Sequence, residues 1–424
     1  MMSKNPLDKR RIWHVNTVSR GGGVAEILEA MEEYSPAGSP EFRRFIMTPD
    51  PRIFSLTKTI HHRLHGNYGG ELPSQAEHER FVSWGRHNAE RLLQAARTTD
   101  PVILHDPQTL PMIPVLAEAG LQVAWRCHIG TSEPNEVSES TWDYITHFLS
   151  PGVPLIFSDK GMVPSHATDH PVFTIPPSID PRSEKNREID DDTVDRCLAA
   201  AGLPVDSVPI VLQISRWDPL KDMCGVLDAF TASTLPFLSR LVLCGPSPES
   251  VADDPEASDV FSRILERYRS LPPDISERVH LICTTTQRPT ENNLLVNALQ
   301  RRAAVVVQKS LQEGFGLTVT EAMWKARPVV ASKRGGLVAQ VIHGRTGLLL
   351  EDPYDLNTFT NYVARLLHHP QDARALGDAA RRHVEENFLT PREVLDHTRV
   401  YELLAGRISR PRRAATPPAG DAVA

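Results

Sequence analysis

The chain has 424 residues, 40% of them hydrophobic and 23% charged, with a formal net charge of −7. Such a length exceeds one ordinary core and fits two domains of roughly 200 residues each. An acidic balance, 53 Asp and Glu against 46 Lys and Arg, excludes a basic footprint for nucleic acid while leaving room for local phosphate sites.

The first predicted element is a strand over 11–18, followed by Gly21–Gly22–Gly23 and a helical pattern over 24–33. The stretch 35–44 reads as irregular, and 54–97 as polar and mainly helical. Two short apolar runs follow, 101–104 ending at His105–Asp106 and 121–127 ending at His128. Polar residues at the ends of such runs occupy the positions where an open α/β sheet meets its ligand.

The segment Pro176–Pro177–Ser178–Ile179–Asp180–Pro181 breaks any regular element and reads as a hinge. Beyond it, strand patterns over 208–215, 240–244, 279–283 and 303–308 alternate with helical ones over 224–233, 259–271 and 291–301. Short apolar strands alternating with helices argue for a parallel sheet covered on both faces. The predicted fold class is therefore α/β, with two doubly wound Rossmann-like domains facing across a cleft and a helical C-terminal segment. The expected boundaries are 8–180, 181–385, a helical stretch 386–408 packing back toward the first domain, and a disordered Pro- and Arg-rich tail 409–424.

The five cysteines, Cys127, Cys197, Cys224, Cys244 and Cys283, form no CxxC pair and read as buried, reduced thiols. No apolar run approaches the roughly 20 residues of a bilayer span, and the charged start MMSKNPLDKRR lacks the core of a signal peptide. The expectation is a cytoplasmic protein without membrane or nucleic-acid partners, with a homodimer left open.

Three segments carry chemistry. At Gly22 and Gly23 a strand-to-helix turn lets a ligand approach free N–H groups at a helix start, which suits a phosphate or a sugar. The same glycines are equally a plain turn, and they do not make the GxGxxG fingerprint of a dinucleotide site. In Ser215–Arg216–Trp217–Asp218–Pro219–Leu220–Lys221, Arg216 and Lys221 lie after a strand, where two cations can hold a diphosphate. The bland alternative is a solvated loop with a surface pair. The third segment is the most specific: Glu313–Gly314–Phe315–Gly316–Leu317–Thr318–Val319–Thr320–Glu321. Glu313 can reach sugar hydroxyls, the N–H groups of Gly316 and Leu317 face a phosphate at a helix start, and Glu321 can accept from a ribose diol. The acidic run Asp253–Asp254–Pro255–Glu256 reads as a solvated loop, so no metal site is argued.

Taken together, Glu–x7–Glu after a strand, Arg216–x4–Lys221 upstream and the N-terminal glycine turn resemble the retaining glycosyltransferases of family 4, with the GT-B fold. More narrowly, Trp125–Arg126–Cys127–His128–Ile129, His105–Asp106–Pro107–Gln108 and the stretch 176–186 resemble its trehalose-forming members. The resemblance covers about 12–390. It implies a nucleoside diphosphate sugar as donor, glucose or a related hexose, and a sugar acceptor. It implies donor contacts at Gly314 and Phe315, transition-state contacts from Arg216, Lys221, Glu313 and His128, and acceptor contacts from His105, Asp106, Gln108 and Arg126. No cofactor is required, and Mg2+ enters only as a non-essential ion. Family members carry an acidic residue where this chain has Gly130. That departure keeps open a natural-product glycosyltransferase with an altered acceptor. A catalytically silent sugar-nucleotide-binding protein, and a phosphorylase of similar fold, are the remaining readings.

Overall fold

The computed structural model describes residues 11–19, 22–35, 40–248, 256–285 and 288–406. Gly21, the middle of the 35–44 stretch, 253–255 of the acidic run and the 409–424 tail lie outside the described residues.

Among the described residues two six-stranded sheets form, and every strand pairing is parallel. The first contains β1 (Arg11–Asn16), β2 (Glu41–Ile46), β3 (Pro101–His105), β4 (Gln122–Cys127), β5 (Leu155–Phe157) and β6 (Val172–Thr174), in the order β2-β1-β3-β4-β5-β6. The second contains β7 (Ile210–Ile214), β8 (Arg240–Pro246), β9 (Val279–Thr284), β10 (Val305–Gln308), β11 (Val329–Ser332) and β12 (Leu348–Leu350). Its order is β12-β11-β10-β7-β8-β9.

Side-chain alternation along the strands builds the cores on both faces. In the second sheet Leu212, Ile214, Val242 and Val306 enter one apolar cluster, while Val211, Leu241, Leu243, Val305 and Val307 enter another. A sheet buried on both faces needs apolar residues at successive positions, which is why these strands read as unbroken apolar runs. β2 is the exception. In its sequence EFRRFI, Glu41 and Arg43 are exposed while Phe42 and Phe45 pack against the core only in part, as suits an edge strand that pairs only with β1. The expected irregularity is corrected for 41–44, which lie in β2, because charge on an edge strand hides the pattern.

Helix starts follow local chemistry. α1 (Gly23–Tyr34) begins after Gly22, whose φ of 93° is closed to most side chains. In α2 (Pro51–Leu64), Pro51 sits in the first turn, and the Asp50 carboxylate accepts from the N–H groups of Arg52 and Ile53. The terminal helix Thr390–Leu404 crosses back onto the first sheet. There Val400, Tyr401 and Leu404 pack on Ile12, Ile103, Ala124 and Ile156. It is tied at the hinge as well, where Arg392 Nη2 donates to the Pro176 carbonyl at 2.7 Å.

Candidate active site

Each sheet reverses its winding once, between β1 and β3 in the first and between β7 and β10 in the second. Loops leaving the carboxyl ends of strands at such a reversal splay apart and leave a crevice. The Gly22 turn follows β1 and Asp106 follows β3. Arg216 follows β7, and the loop to Glu313 follows β10. The two crevices face each other closely. A Cβ on Gly314 would come within 2.9 Å of the His128 carbonyl oxygen, and one on Gly23 within 3.2 Å of Leu317 Cδ1.

On the C-terminal side, Asp218 organises the loop after β7. Its Oδ1 accepts from the Leu220 N–H at 2.9 Å, closing the turn Pro219–Lys221. Its Oδ2 lies 3.2 Å from Arg216 Nη2 and 3.5 Å from Lys58 Nζ of α2, across the cleft. Burial alone would raise the Asp218 carboxyl. The surrounding Arg216, Lys58 and Lys221 charges outweigh it and hold the group well below the usual carboxylate range. Lys221 Nζ meets Glu313 Oε1 at 2.5 Å. The other oxygen of Glu313 accepts from Ser310 Oγ at 3.0 Å and from Gln308 Nε2 at 3.3 Å. A carboxylate fixed by three donors, one of them a lysine, has the pre-organisation that orienting both a sugar and a phosphate requires.

Gly316, at φ 89°, turns the chain into the helix Leu317–Trp324. A Cβ there would lie 2.9 Å from Leu337 Cδ2, so glycine is demanded twice over. Phe315 is buried under the turn and packs edge-on to Phe388. One turn further in, Glu321 lies 3.3 Å from Gln300 Nε2 and 3.8 Å from Lys185 Nζ. Lys185 also bonds Glu26 of α1 at 2.7 Å. Burial raises the Glu321 carboxyl despite the opposing charges of Lys185 and Lys325, so a diol donating to it would replace hydration that the site has already removed. Glu321→Ala is expected to weaken nucleoside diphosphate binding about ten- to hundredfold, the worth of charged hydrogen bonds. Titration calorimetry giving a wild-type Kd would take Glu321 out of the site.

The N-terminal side holds His128, half-buried just past β4. Its backbone N–H donates to Asp106 Oδ1 at 2.8 Å, and its Nε2 lies 3.2 Å from His105 Nδ1. Asp106 adopts φ 61°, a conformation rare outside glycine, and it shapes the loop under His128. His105 is buried and reaches the cleft only through His128. Gln108 is half-buried on the single turn Pro107–Thr109.

Arg126 requires a correction as an acceptor ligand. It is fully buried, with Nη2 at 2.6 Å from Glu393 Oε1 and Nη1 at 2.7 Å from His397 Nε2. Its neighbours on β4 put its side chain on the face covered by the terminal helix, away from the cleft. Glu393 accepts in addition from Ser178 Oγ at 2.6 Å, so the ion pair pins the hinge. Glu256, expected in a solvated loop, instead lies 3.2 Å from His62 Nε2 of the opposite domain.

α2 adds side chains to the site that no sequence motif assigns to it. Lys58, His61 and His65 recur at helical spacing on one face toward the 216–221 loop, and His65 Nδ1 lies 2.9 Å from the Gly130 carbonyl. Burial first, and Lys221 next, push the His65 imidazole down to about 4. His14, His105 and His397 are likewise held well below their usual value, chiefly by burial. A histidine whose folded pKa is depressed takes up a proton on unfolding between its folded value and about 6.5, so stability is lost as pH falls through that window. Each of these groups steepens the loss by up to about 1.4 kcal/mol per pH unit. Denaturant unfolding between pH 7 and 5 should show it, and a flat profile would contradict the buried neutral cluster.

Comparisons with known proteins agree with this geometry. Residues 14–164 match the family described as trehalose synthase, N-terminal domain, and residues 280–383 match glycosyl transferases group 1. A trehalose synthase of Rubrobacter xylanophilus is 35% identical over 406 residues, spanning 93% of this chain and 91% of its own. One from Pyrococcus horikoshii is 32% identical over 402 residues, spanning 94% and 91%. An alpha,alpha-trehalose-phosphate synthase (UDP-forming) from Burkholderia vietnamiensis superposes with a TM-score of 0.72 at 16% identity, covering 94% of this chain and all of that one. That likeness concerns the fold. Two facing parallel-sheet domains with this site define a glycosyltransferase of the GT-B type. Within that class the chain belongs to the trehalose synthase family.

Proposed function

We propose that the protein moves glucose, or a closely related hexose, from a nucleoside diphosphate sugar to a sugar acceptor with retention, joining the two through their anomeric carbons. The observation that carries this reading is the Lys221–Glu313 contact at 2.5 Å, set beside Arg216 and the helix start at Gly316. As the glycosidic bond breaks, charge grows on the departing diphosphate. Arg216, Lys221 and the N–H groups of Gly316 and Leu317 meet it with donors already in place. Glu313 orients the sugar ring, and Glu321 holds the ribose. His128 approaches the sugar from the opposite domain. The departing diphosphate takes the acceptor hydroxyl's proton, so no carboxylate nucleophile is used. Names of the relatives, trehalose synthases, support a disaccharide product.

A second reading, an altered acceptor, is favoured by Gly130. A Cβ at that position would come within 3.0 Å of Met162 Cβ, so a thioether chain fills space that an acidic residue would need. The two readings separate in one experiment. Nucleoside diphosphate release from a panel of glucose donors should accelerate on adding free glucose. Release that ignores glucose but responds to a different sugar, a sugar alcohol or an amino sugar would favour the altered acceptor.

A further inference from the structure

A continuous hydrogen-bonded chain runs from the terminal helix to the cleft. The Tyr401 hydroxyl lies 3.0 Å from His14 Nε2. His14 Nδ1 lies 3.0 Å from His105 Nε2, and His105 Nδ1 lies 3.2 Å from His128 Nε2. The rings of His105 and His128 are nearly parallel, at 12°, and His14 stacks on Phe42 at 4.4 Å between centroids. His14 sits within β1, His105 ends β3 and His128 follows β4, so three neighbouring strands hold the rings in register.

All three imidazoles are neutral at ordinary pH, since burial lowers each, and the Arg126 charge beside them acts the same way. A neutral imidazole has one N–H and one lone pair. Each link therefore needs one proton, and the whole chain can point only one of two ways. If it pointed from His128 toward Tyr401, His14 Nε2–H would donate to the phenol, whose own proton would then need an acceptor. Among the described residues the Tyr401 hydroxyl has no hydrogen-bond partner besides His14, and the residue is buried. A buried donor without an acceptor keeps its full desolvation penalty. Pointing the other way satisfies every group: Tyr401 O–H donates to His14, His14 to His105, and His105 to His128. The one proton left over then lies on His128 Nδ1, which has no protein partner among the described residues.

We propose that Tyr401 is a positioning residue that sets the polarity of this chain, so that His128 offers an Nδ1–H donor to a hydroxyl or ring oxygen of the donor sugar. The role rests on the reading of His128 as a donor-sugar contact. The opposite polarity would offer a lone pair, which binds a different group, so the phenol in the last helix decides what the cleft recognises. Polarisation along successive hydrogen bonds strengthens the terminal N–H.

The test combines spectroscopy and kinetics on the full chain. In histidine-15N-labelled protein, the His128 signals are assigned by their loss in His128→Gln. The expected wild-type pattern is a protonated Nδ1 and a bare Nε2, and the reverse pattern would overturn the proposal without any variant being needed. Tyr401→Phe removes one oxygen and keeps the packing. It is expected to shift His128 toward the other tautomer and to lower kcat roughly tenfold, as for loss of one hydrogen bond, with the nucleoside diphosphate Kd unchanged. Unmoved His128 signals, or wild-type kcat, in Tyr401→Phe would count against it. Wild-type turnover in His128→Gln would instead remove the sugar contact itself, and the spectrum would still report the polarity.

Discussion

Lys221→Ala is expected to lower kcat by about 10²–10³, the usual effect of removing one donor aimed at transition-state charge. Two consequences of the substitution add. The diphosphate loses a cation, and Glu313 loses its bond at 2.5 Å, leaving Ser310 and Gln308 to hold it. The rest of the loop keeps its shape, because Asp218 closes the turn through the Leu220 N–H and Arg216 and Lys58 stay on Asp218. Thermal unfolding should therefore remain near wild type while turnover collapses. Steady-state kinetics with saturating donor decide the matter, and a loss of less than threefold would show that Lys221 is not at the leaving group.

Arg126→Met destabilises the fold by about 3–5 kcal/mol, because it strands a buried carboxylate. Both side chains of the Arg126–Glu393 pair are fully buried, and Glu393 bridges β4 to the hinge through Ser178. The double variant Arg126→Met/Glu393→Met should recover most of the loss, since an apolar pair of similar volume avoids an unpaired charge. Urea unfolding followed by tryptophan fluorescence reports it, with Trp13 and Trp125 in the affected sheet. A single variant as stable as wild type would contradict the account of Arg126 as the tie for the terminal helix.

What was legible beforehand follows from which interactions are local. Val305–Gln308 and Ile210–Ile214 read as strands because burial on both faces demands unbroken apolar runs. Gly316 and Glu321 read as a helix-start site because turn chemistry and helix periodicity are encoded within a few residues. β2 did not, since an edge strand tolerates charge. Arg126 was misread because side-chain direction on a strand depends on which face the distant helix Thr390–Leu404 covers. Lys58, His61 and His65 take no site role from the sequence, although their helical spacing is visible in it. Nothing local to α2 says that it faces Arg216 and Lys221 more than 150 residues away. The histidine chain is the same case, assembled by register between β1, β3 and β4.

The central claim is that donor and acceptor meet anomer to anomer with retention. Incubation with nucleoside diphosphate glucose and glucose, followed by borohydride treatment of the purified disaccharide, tests it most directly. A product that takes up no hydrogen and shows a single α-anomeric signal by NMR, because its two glucose units are equivalent by symmetry, is the predicted result. A product that borohydride reduces has a free anomeric carbon, and it would contradict the 1,1 linkage.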